Sequence, residues 1–226
     1  MRISIFGDSI LEGVRLENGK YTRDSELFRR FEAENHVQLL NRSRFGSTIS
    51  RGAKALDRSV EKHELGDYTI LEFGGNDCDH DWAQVAAAPD ERHLCATPED
   101  QFACQYGRMI DEIRANGSIP VATALPPISA QRYFSWICRR GLDGKAILRW
   151  LGDIQNIARR QALFSQISEQ VAREKGCPIL DLRSVFPKND LQRDACLCED
   201  GIHPNQAGQK LMFESFARFL RTVAPA

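Results

Sequence analysis

The chain has 226 residues, of which 42% are hydrophobic and 27% charged, and its formal net charge at pH 7 is −1. This length suits one α/β domain with a full core, spanning residues 1–226, and is short for two. The balanced charge gives no reason to expect nucleic acid or an anionic membrane surface as a partner, and no apolar run is long enough to cross a membrane.

The cysteines and the N-terminal segment indicate the cellular location. Seven cysteines, an odd number, include no CxxC pair, which favours reduced thiols over a disulfide framework. Cys196 and Cys198 are close in sequence, but no second Cys/His pair offers zinc spacing around them. The first residues enter a strand directly, without the basic and apolar regions of a signal peptide. We therefore expect a cytoplasmic protein.

Strand-like and helix-like segments alternate along the chain. In chain order, the predicted elements are strand Arg2–Phe6, helix Ser25–Asn35, strand Val37–Leu40, helix Thr48–His63, strand Tyr68–Phe73, helix Pro98–Ala115, strand Ile119–Leu125, helix Asp153–Lys175, strand Pro178–Leu182 and helix Pro204–Val223. The strand at Tyr68 is mainly apolar, as a parallel strand covered on both faces should be. The pattern predicts a single-domain α/β fold, a three-layer sandwich of a five-stranded parallel sheet with helices on both faces.

Two segments, near residues 78–97 and 128–152, are longer than ordinary loops, and such segments tend to be functional or disordered. They contain all three tryptophans, so we expect them to be ordered and to lie over the rim of the sheet. Arginines and aromatic residues in the second segment either bind an anionic or sugar substrate or form a lid whose rings pack inward. The arginines are Arg132, Arg139 and Arg140, and the predicted substrate-binding residues are Trp82, Tyr133, Trp136 and Arg139.

Polar and glycine residues collect where the predicted strands end, which is where ligands bind in open parallel sheets. These stretches are Gly7-Asp8-Ser9 after the first strand, Asn41 to Gly46 after the second, Gly74-Gly75-Asn76-Asp77 after the third, and Asp200 to His203 ahead of the last helix. Because they converge on one edge of the sheet, we expect a single site there.

The residue types at this edge suit nucleophilic catalysis. A serine hydroxyl needs an imidazole to take its proton and a third group to orient that imidazole. Ser9 is the predicted nucleophile, His203 the base and Asp200 the orienting carboxylate. Pro204 suits the first position of a helix, which would place His203 at the positive end of the helix dipole and disfavour the imidazolium. The backbone N–H groups of Ser9 and Gly46 and the side-chain amide of Asn76 are the right donors for an oxyanion.

The same residues carry a family resemblance. The blocks "GDSI", Gly46, "GGND" and "DGIHP" occur in this order over nearly the whole chain, which resembles the SGNH hydrolases, the GDSL esterase/lipase family. The resemblance implies a flavodoxin-like strand order, a triad of Ser9, Asp200 and His203, an oxyanion hole of Ser9, Gly46 and Asn76, and no metal or other cofactor. Family members often have an additional glycine where this chain has Ser43, so the second block departs from the pattern.

Other interpretations fit single motifs. Each block alone could be ordinary turn or capping chemistry, and Asp8 and Asp77 are expected to accept hydrogen bonds from nearby loop N–H groups. The cluster Asp77, Asp79, His80 and Asp81 could hold a divalent metal. A metal-dependent phosphoesterase would use it, but would leave Ser9 and Asn76 without roles. A catalytically inactive binding domain of the same fold is a third interpretation.

We therefore predict a serine hydrolase that cleaves carboxylic esters through an acyl-enzyme on Ser9. Family analogy favours a small acyl group, such as acetyl, on a carbohydrate or other small ester. A lysophospholipase or thioesterase acting on longer acyl chains stays open. The expected partner is a small-molecule ester, and the sequence does not indicate an oligomeric state.

Overall fold

The computed structural model describes residues 1–139 and 141–223. Its strands are β1 (Arg2–Gly7), β2 (Val14–Glu17), β3 (Lys20–Arg23), β4 (Gln38–Asn41), β5 (Tyr68–Glu72), β6 (Ile119–Ala124) and β7 (Ile179–Asp181). Its helices are α1 (Ser25–Asn35), α2 (Ile49–Glu61), α3 (Trp82–Ala87), α4 (Glu99–Ala115), α5 (Ala130–Cys138), α6 (Gly144–Leu151), α7 (Asn156–Glu174), α8 (Asp190–Asp194) and α9 (Gln206–Val223).

Five strands form one parallel sheet in the order β4-β1-β5-β6-β7. Numbered along the chain within the sheet, this order is 2-1-3-4-5, which is the flavodoxin-like arrangement. The predicted fold class is confirmed. The order also gives β1 a neighbouring strand on each side, so the turn that follows it lies between the ends of β4 and β5.

Helices cover both faces of the sheet. On one face, Phe6, Leu71 and Phe73 pack with Phe102 of α4 and Phe164 of α7. On the other face, strand residues pack with α1 and α9, as in the stacked rings of Phe31 and Phe216 at a centroid distance of 4.7 Å. Burying such side chains contributes roughly 1.5–3 kcal/mol each, and it fixes the sheet edge on which the polar turns stand.

The two long segments both contain helices, and the second is mostly helical. The first contains α3, and the second contains α5 and α6. Asp81 and Asp143 cap α3 and α6 by accepting backbone N–H groups at 2.9–3.2 Å, and Ser129 caps α5. These helices pack together in a third apolar cluster that includes Trp82, Val85, Ala130, Ile137, Ile147 and Ile157. In their described residues both segments are ordered, as expected, but the prediction that the second one is a loop was wrong.

A β-hairpin between β1 and α1 was also not predicted. Strands β2 and β3 pair in antiparallel fashion around Asn18-Gly19, whose φ values of 51° and 72° are those of a tight hairpin turn. The hairpin brings Tyr21 to the same edge of the molecule as the predicted site, because its ring lies 5.3 Å from that of His203.

Candidate active site

Ser9 stands on a tight turn directly after β1, which lies between β4 and β5 in the sheet. The turn is closed by the N–H of Glu12 on the Asp8 carbonyl at 3.0 Å and by the N–H of Val14 on the Ser9 carbonyl at 2.9 Å. Gly7 precedes it because a Cβ there would lie 2.9 Å from a carboxyl oxygen of Glu72 and 3.0 Å from the Glu72 carbonyl. The side chain of Ser9 is thereby held at the carboxyl edge of the sheet.

A continuous chain of hydrogen bonds joins Ser9, His203 and Asp200. The Oγ of Ser9 lies 2.8 Å from Nε2 of His203, and Nδ1 of His203 lies 2.6 Å from Oδ2 of Asp200. The other carboxyl oxygen of Asp200 accepts the N–H groups of Ile202 and His203, both at 3.1 Å. The structure thus brings together the three residues that the sequence predicted for the triad.

Electrostatics fix the tautomer of His203. Burial of Asp200 raises its pKa, but its hydrogen bonds from His203 and from nearby backbone N–H groups outweigh burial, and the net pKa is lowered. An ionised carboxylate against Nδ1 keeps the proton on that nitrogen. Nε2 is then free to accept the hydroxyl hydrogen of Ser9.

The prediction that His203 lies at the start of the last helix was wrong, because α9 begins at Gln206. Asn205 is the residue that caps this helix, since its Oδ1 accepts the N–H groups of Ala207 and Gly208 at 3.0 and 3.2 Å. Pro204 instead forms an isolated β-bridge with Leu197, and the His203 carbonyl accepts the N–H of Cys198 at 2.8 Å. This bridge, rather than a helix terminus, holds His203 in place.

The backbone N–H groups of Ser9 and Gly46 have no protein partner among the described residues. Gly46 has a φ of 67°, which favours glycine. Its loop is tied to β1 through the N–H of Arg44 on the Gly7 carbonyl at 3.1 Å. Ser43, where the family pattern departs, is buried in this loop.

The amide of Asn76 has partners for both hydrogens. Its Nδ2 lies 2.9 Å from Oδ2 of Asp8 and 3.2 Å from the carbonyl oxygen of Ser47. An oxyanion at the site would compete for one of these hydrogens. The bond to the Ser47 carbonyl is the longer and is made to a neutral acceptor, so it is the easier one to exchange.

Asp8 and Asp77 accept hydrogen bonds from loop groups, as expected. Asp8 accepts the N–H of Ile10 at 2.9 Å. Asp77 accepts the N–H of Ile49 and the hydroxyl of Thr97, the latter at 2.6 Å, and its burial raises its pKa to about 6. Asp77 therefore connects the start of α2 to the turn that carries Asn76.

The decisive comparison is with a family model. The model of the GDSL-like lipase/acylhydrolase family matches residues 5–211. This chain belongs to that family. It is accordingly an ester-hydrolysing enzyme. No curated protein has a sequence significantly similar to it.

Solved structures show the same fold at low sequence identity. A lipase/acylhydrolase from Enterococcus faecalis is 20% identical, with 98% of this chain and 95% of that chain covered and a TM-score of 0.64. A GDSL-like lipase from Bacteroides thetaiotaomicron is 16% identical, with coverages of 99% and 89% and a TM-score of 0.67. An acetyl-xylooligosaccharide esterase from Geobacillus stearmophilus is 18% identical, with coverages of 100% and 94% and a TM-score of 0.65.

A cavity of about 510 Å³ opens beside Ser9. Of the predicted substrate-binding residues, Trp82 and Tyr133 line it. Trp136 and Arg139 are absent from its lining among the described residues: the Arg139 guanidinium lies 5.4 Å from the centre of the Trp136 ring and 2.9 Å from a carboxyl oxygen of Glu199.

The other arginines of this segment have different positions. Arg132 donates to the carbonyl oxygens of Asp194, Leu197 and Cys198, so it supports the segment that precedes Asp200. Arg140 lies outside the described residues.

The acidic cluster does not converge on one point. Asp79 accepts the hydroxyl of Tyr133 at 2.5 Å and the indole N–H of Trp82 at 2.9 Å, whereas Asp81 caps α3. His80 bonds the carbonyl of Leu94, and Asp77 faces α2. Within residues 1–139 and 141–223, no group of three or more His, Cys, Asp or Glu side chains could hold a metal ion.

Several residues around the site were not predicted from the sequence. Arg159, Arg160 and Gln161 of α7 and Trp150 of α6 line the cavity. Phe45 and Tyr21 flank His203, with the Phe45 ring nearly parallel to the imidazole at 5.8 Å, and both are more than 40% exposed. Phe45 precedes Gly46 in the sequence, so its position in the second block could have indicated that it lies near the site. Nothing in the sequence indicated the same for Tyr21, because the hairpin that carries it was not predicted.

Proposed function

We propose that this protein hydrolyses carboxylic esters through an acyl-enzyme on Ser9. The observation that carries the proposal is the buried hydrogen-bond chain from Ser9 through His203 to Asp200, with links of 2.8 and 2.6 Å. A serine so paired can lose its proton to the imidazole as it attacks a carbonyl carbon.

The geometry supports the following steps. Nε2 of His203 takes the hydroxyl proton while Oγ of Ser9 bonds to the ester carbon, and the carbonyl oxygen becomes an oxyanion. The N–H groups of Ser9 and Gly46, together with the Asn76 amide, supply donors for that charge. His203 returns the proton to the departing alkoxide, and a water molecule activated by the same nitrogen releases the acid.

For the substrate, we propose a small acyl group, such as acetyl, on a sugar or another polar ring. The cavity combines the rings of Trp82, Tyr133 and Trp150 with polar groups of Asn156 and Gln161. Aromatic rings mixed with a few polar groups suit a ring that has both apolar faces and hydroxyls. The acetyl-xylooligosaccharide esterase among the similar structures acts on a substrate of this kind.

A longer acyl chain is the second candidate, favoured by the size and apolar part of the same cavity. Its volume of about 510 Å³ exceeds what an acetyl group needs, and Leu125, Ile128, Ile157 and Leu163 are part of its wall. A lysophospholipase or thioesterase would place an alkyl chain against these residues.

A series of nitrophenyl esters with increasing acyl length separates the two candidates. We expect kcat/KM to be highest for acetate and to fall for acyl chains of eight or more carbons; the reverse order would indicate a long-chain substrate. Turnover should be lost in Ser9→Ala and persist in excess chelator. Loss of activity on chelation, with an active Ser9→Ala variant, would instead support the metal-dependent phosphoesterase.

We also propose a cytoplasmic location and a small-molecule ester as the partner. The seven cysteines are free thiols in the described structure, which agrees with a reducing compartment. Among the described helices, none combines the length and the apolar character that crossing a membrane requires. Fractionation of cells that express the protein with a C-terminal tag tests this location.

A further inference from the structure

Two carboxyl groups are buried together behind the nucleophile. Asp8 follows β1 and Glu72 ends β5, in a register that pairs Gly7 with Glu72, and the two residues are only 2% and 1% exposed. Oε2 of Glu72 accepts the N–H of Asp8 at 3.2 Å, and the two carboxyl groups are close enough for the charge of Asp8 to raise the pKa of Glu72. Both residues also line the floor of the cavity beside Ser9.

No lysine or arginine of the described chain forms an ion pair with either carboxyl group. The titratable groups that face Asp8 are His203 and Asp77, and the one that faces Glu72 from α4 is Tyr106. Two carboxylates buried side by side without a cation cannot both be ionised near neutral pH. The pair must therefore hold a proton.

The hydrogen bonds indicate which residue holds it. Burial raises the pKa of Asp8, but the N–H of Ile10 on Oδ1 and the amide of Asn76 on Oδ2 act in the opposite direction, because such donors favour the ionised form. Burial and the neighbouring charge of Asp8 both raise the pKa of Glu72 well above its usual range. The proton thus belongs on Glu72, where it can be donated to the Asp8 carboxylate.

We propose that Glu72 is a positioning residue of this esterase, kept protonated so that it donates a hydrogen bond to Asp8 and thereby holds both the Asn76 amide and the turn that carries Ser9. The proposal rests on the function proposed above. Glu72 does not itself touch the ester. It acts through Asp8, whose side chain contacts Asn76 and whose backbone directly precedes Ser9.

This arrangement has a consequence for pH dependence. When Glu72 loses its proton at high pH, two like charges face each other and Asp8 shifts away from its neighbour. The Asn76 amide shifts with it, and a second negative charge then lies close to the developing oxyanion. Because the effect falls on the transition state, kcat should decline at alkaline pH while KM changes little.

Replacing Glu72 with glutamine tests the proposal, since an amide can accept the N–H of Asp8 and donate to its carboxylate but cannot ionise. Glu72→Gln should keep most of kcat at pH 7 and lose the alkaline decline. Glu72→Leu, which removes both bonds, should lower kcat between about 10- and 100-fold with KM nearly unchanged. Glu61→Gln, an exposed change at the end of α2, is the matched control and should keep the wild-type pH profile.

An infrared measurement tests the protonation state without any substrate. In Ser9→Ala at pH 7, we expect a carbonyl stretch of a protonated carboxyl group that disappears in Ser9→Ala/Glu72→Gln. Absence of that band overturns the proposal even if ester hydrolysis proceeds as described. So does a Glu72→Gln enzyme as impaired as Glu72→Leu, or an unimpaired Glu72→Leu enzyme. If Glu72→Leu does not fold, Glu72→Gln and the infrared band decide.

Discussion

Replacing Asp200 tests how the imidazole of His203 is oriented without disturbing the fold. In Asp200→Asn, the amide oxygen can still accept the N–H groups of Ile202 and His203 that the carboxylate now binds at 3.1 Å. The amide nitrogen then faces Nδ1 of His203 and favours the tautomer with the proton on Nε2. We expect a normally folded protein by circular dichroism whose kcat is lower by ~10⁴-fold.

Glu199→Gln is the control for that change. Glu199 is the neighbouring acidic residue, and its carboxylate is paired with Arg139 on the surface. This variant should keep kcat. Near-normal kcat in Asp200→Asn would mean that another carboxylate orients His203.

Asn76 should act on the transition state. Its amide bonds Asp8 and the Ser47 carbonyl in the free enzyme, and an oxyanion replaces the second partner more easily than the first. Asn76→Ala should lower kcat by roughly 10²–10³, about 3–4 kcal/mol, with KM nearly unchanged. Steady-state kinetics on a nitrophenyl ester measure both parameters, and a higher KM at constant kcat would place Asn76 in substrate binding instead.

Among single residues, Ser9, Asp200 and His203 could be predicted as a triad from the sequence. Each lies in an unusual polar stretch that follows a strand or precedes the last helix. Glu72 could not be predicted in the same way. It is the last residue of a strand that is otherwise apolar, and its meeting with Asp8 depends on the register of β1 and β5. No local pattern in the sequence encodes that register.

Among the secondary-structure elements, the start of α9 is the one most closely tied to the site. Asn205 caps this helix, and its Nδ2 also donates to the carbonyl oxygens of Ala195 and Leu197 at 2.8 and 3.2 Å. Asn205→Ala should lower the free energy of unfolding by about 1–2 kcal/mol and should also reduce kcat, because His203 lies two residues away. Urea unfolding and kinetics on the same preparation measure both effects.

Asn189→Ala is the matched control for Asn205→Ala, because it also removes a helix cap. Asn189 caps the short helix α8 with one bond, to the N–H of Gln192 at 3.2 Å. This variant should lose less stability and keep kcat. If Asn205→Ala had no greater effect on either quantity, the cap of α9 would have no special relation to the site.

The elements that were not predicted from the sequence are short, which explains why their patterns were not recognised. Helices α3 and α8 have only six and five residues, too few to display a clear amphipathic period, so they depend on their caps and on tertiary packing. The hairpin of β2 and β3 did have a local signal in Asn18-Gly19, yet its strands have only four residues each. The five sheet strands were found because their apolar runs are bounded by glycine, proline and polar turns.

Over the whole molecule, the alternation of strands and helices was enough to predict a parallel sheet with two covered faces, but not the order of its strands. The order came from the family resemblance. It matters for function because it brings β4, β1 and β5 side by side, and these are the strands that precede Gly46, Ser9 and Asn76. The approach of His203 to Ser9 depends on the chain returning to this edge of the sheet just before α9. This too is a property of the complete fold.

The acyl-enzyme on Ser9 is the central claim, and trapping it tests the claim most directly. The enzyme is mixed with excess nitrophenyl acetate, quenched in acid within the first turnover, digested and analysed by mass spectrometry. We predict an added acetyl group on the peptide that contains Ser9, with no such adduct in Ser9→Ala. An acetyl group on a different residue, or undiminished ester hydrolysis by Ser9→Ala, would contradict the account.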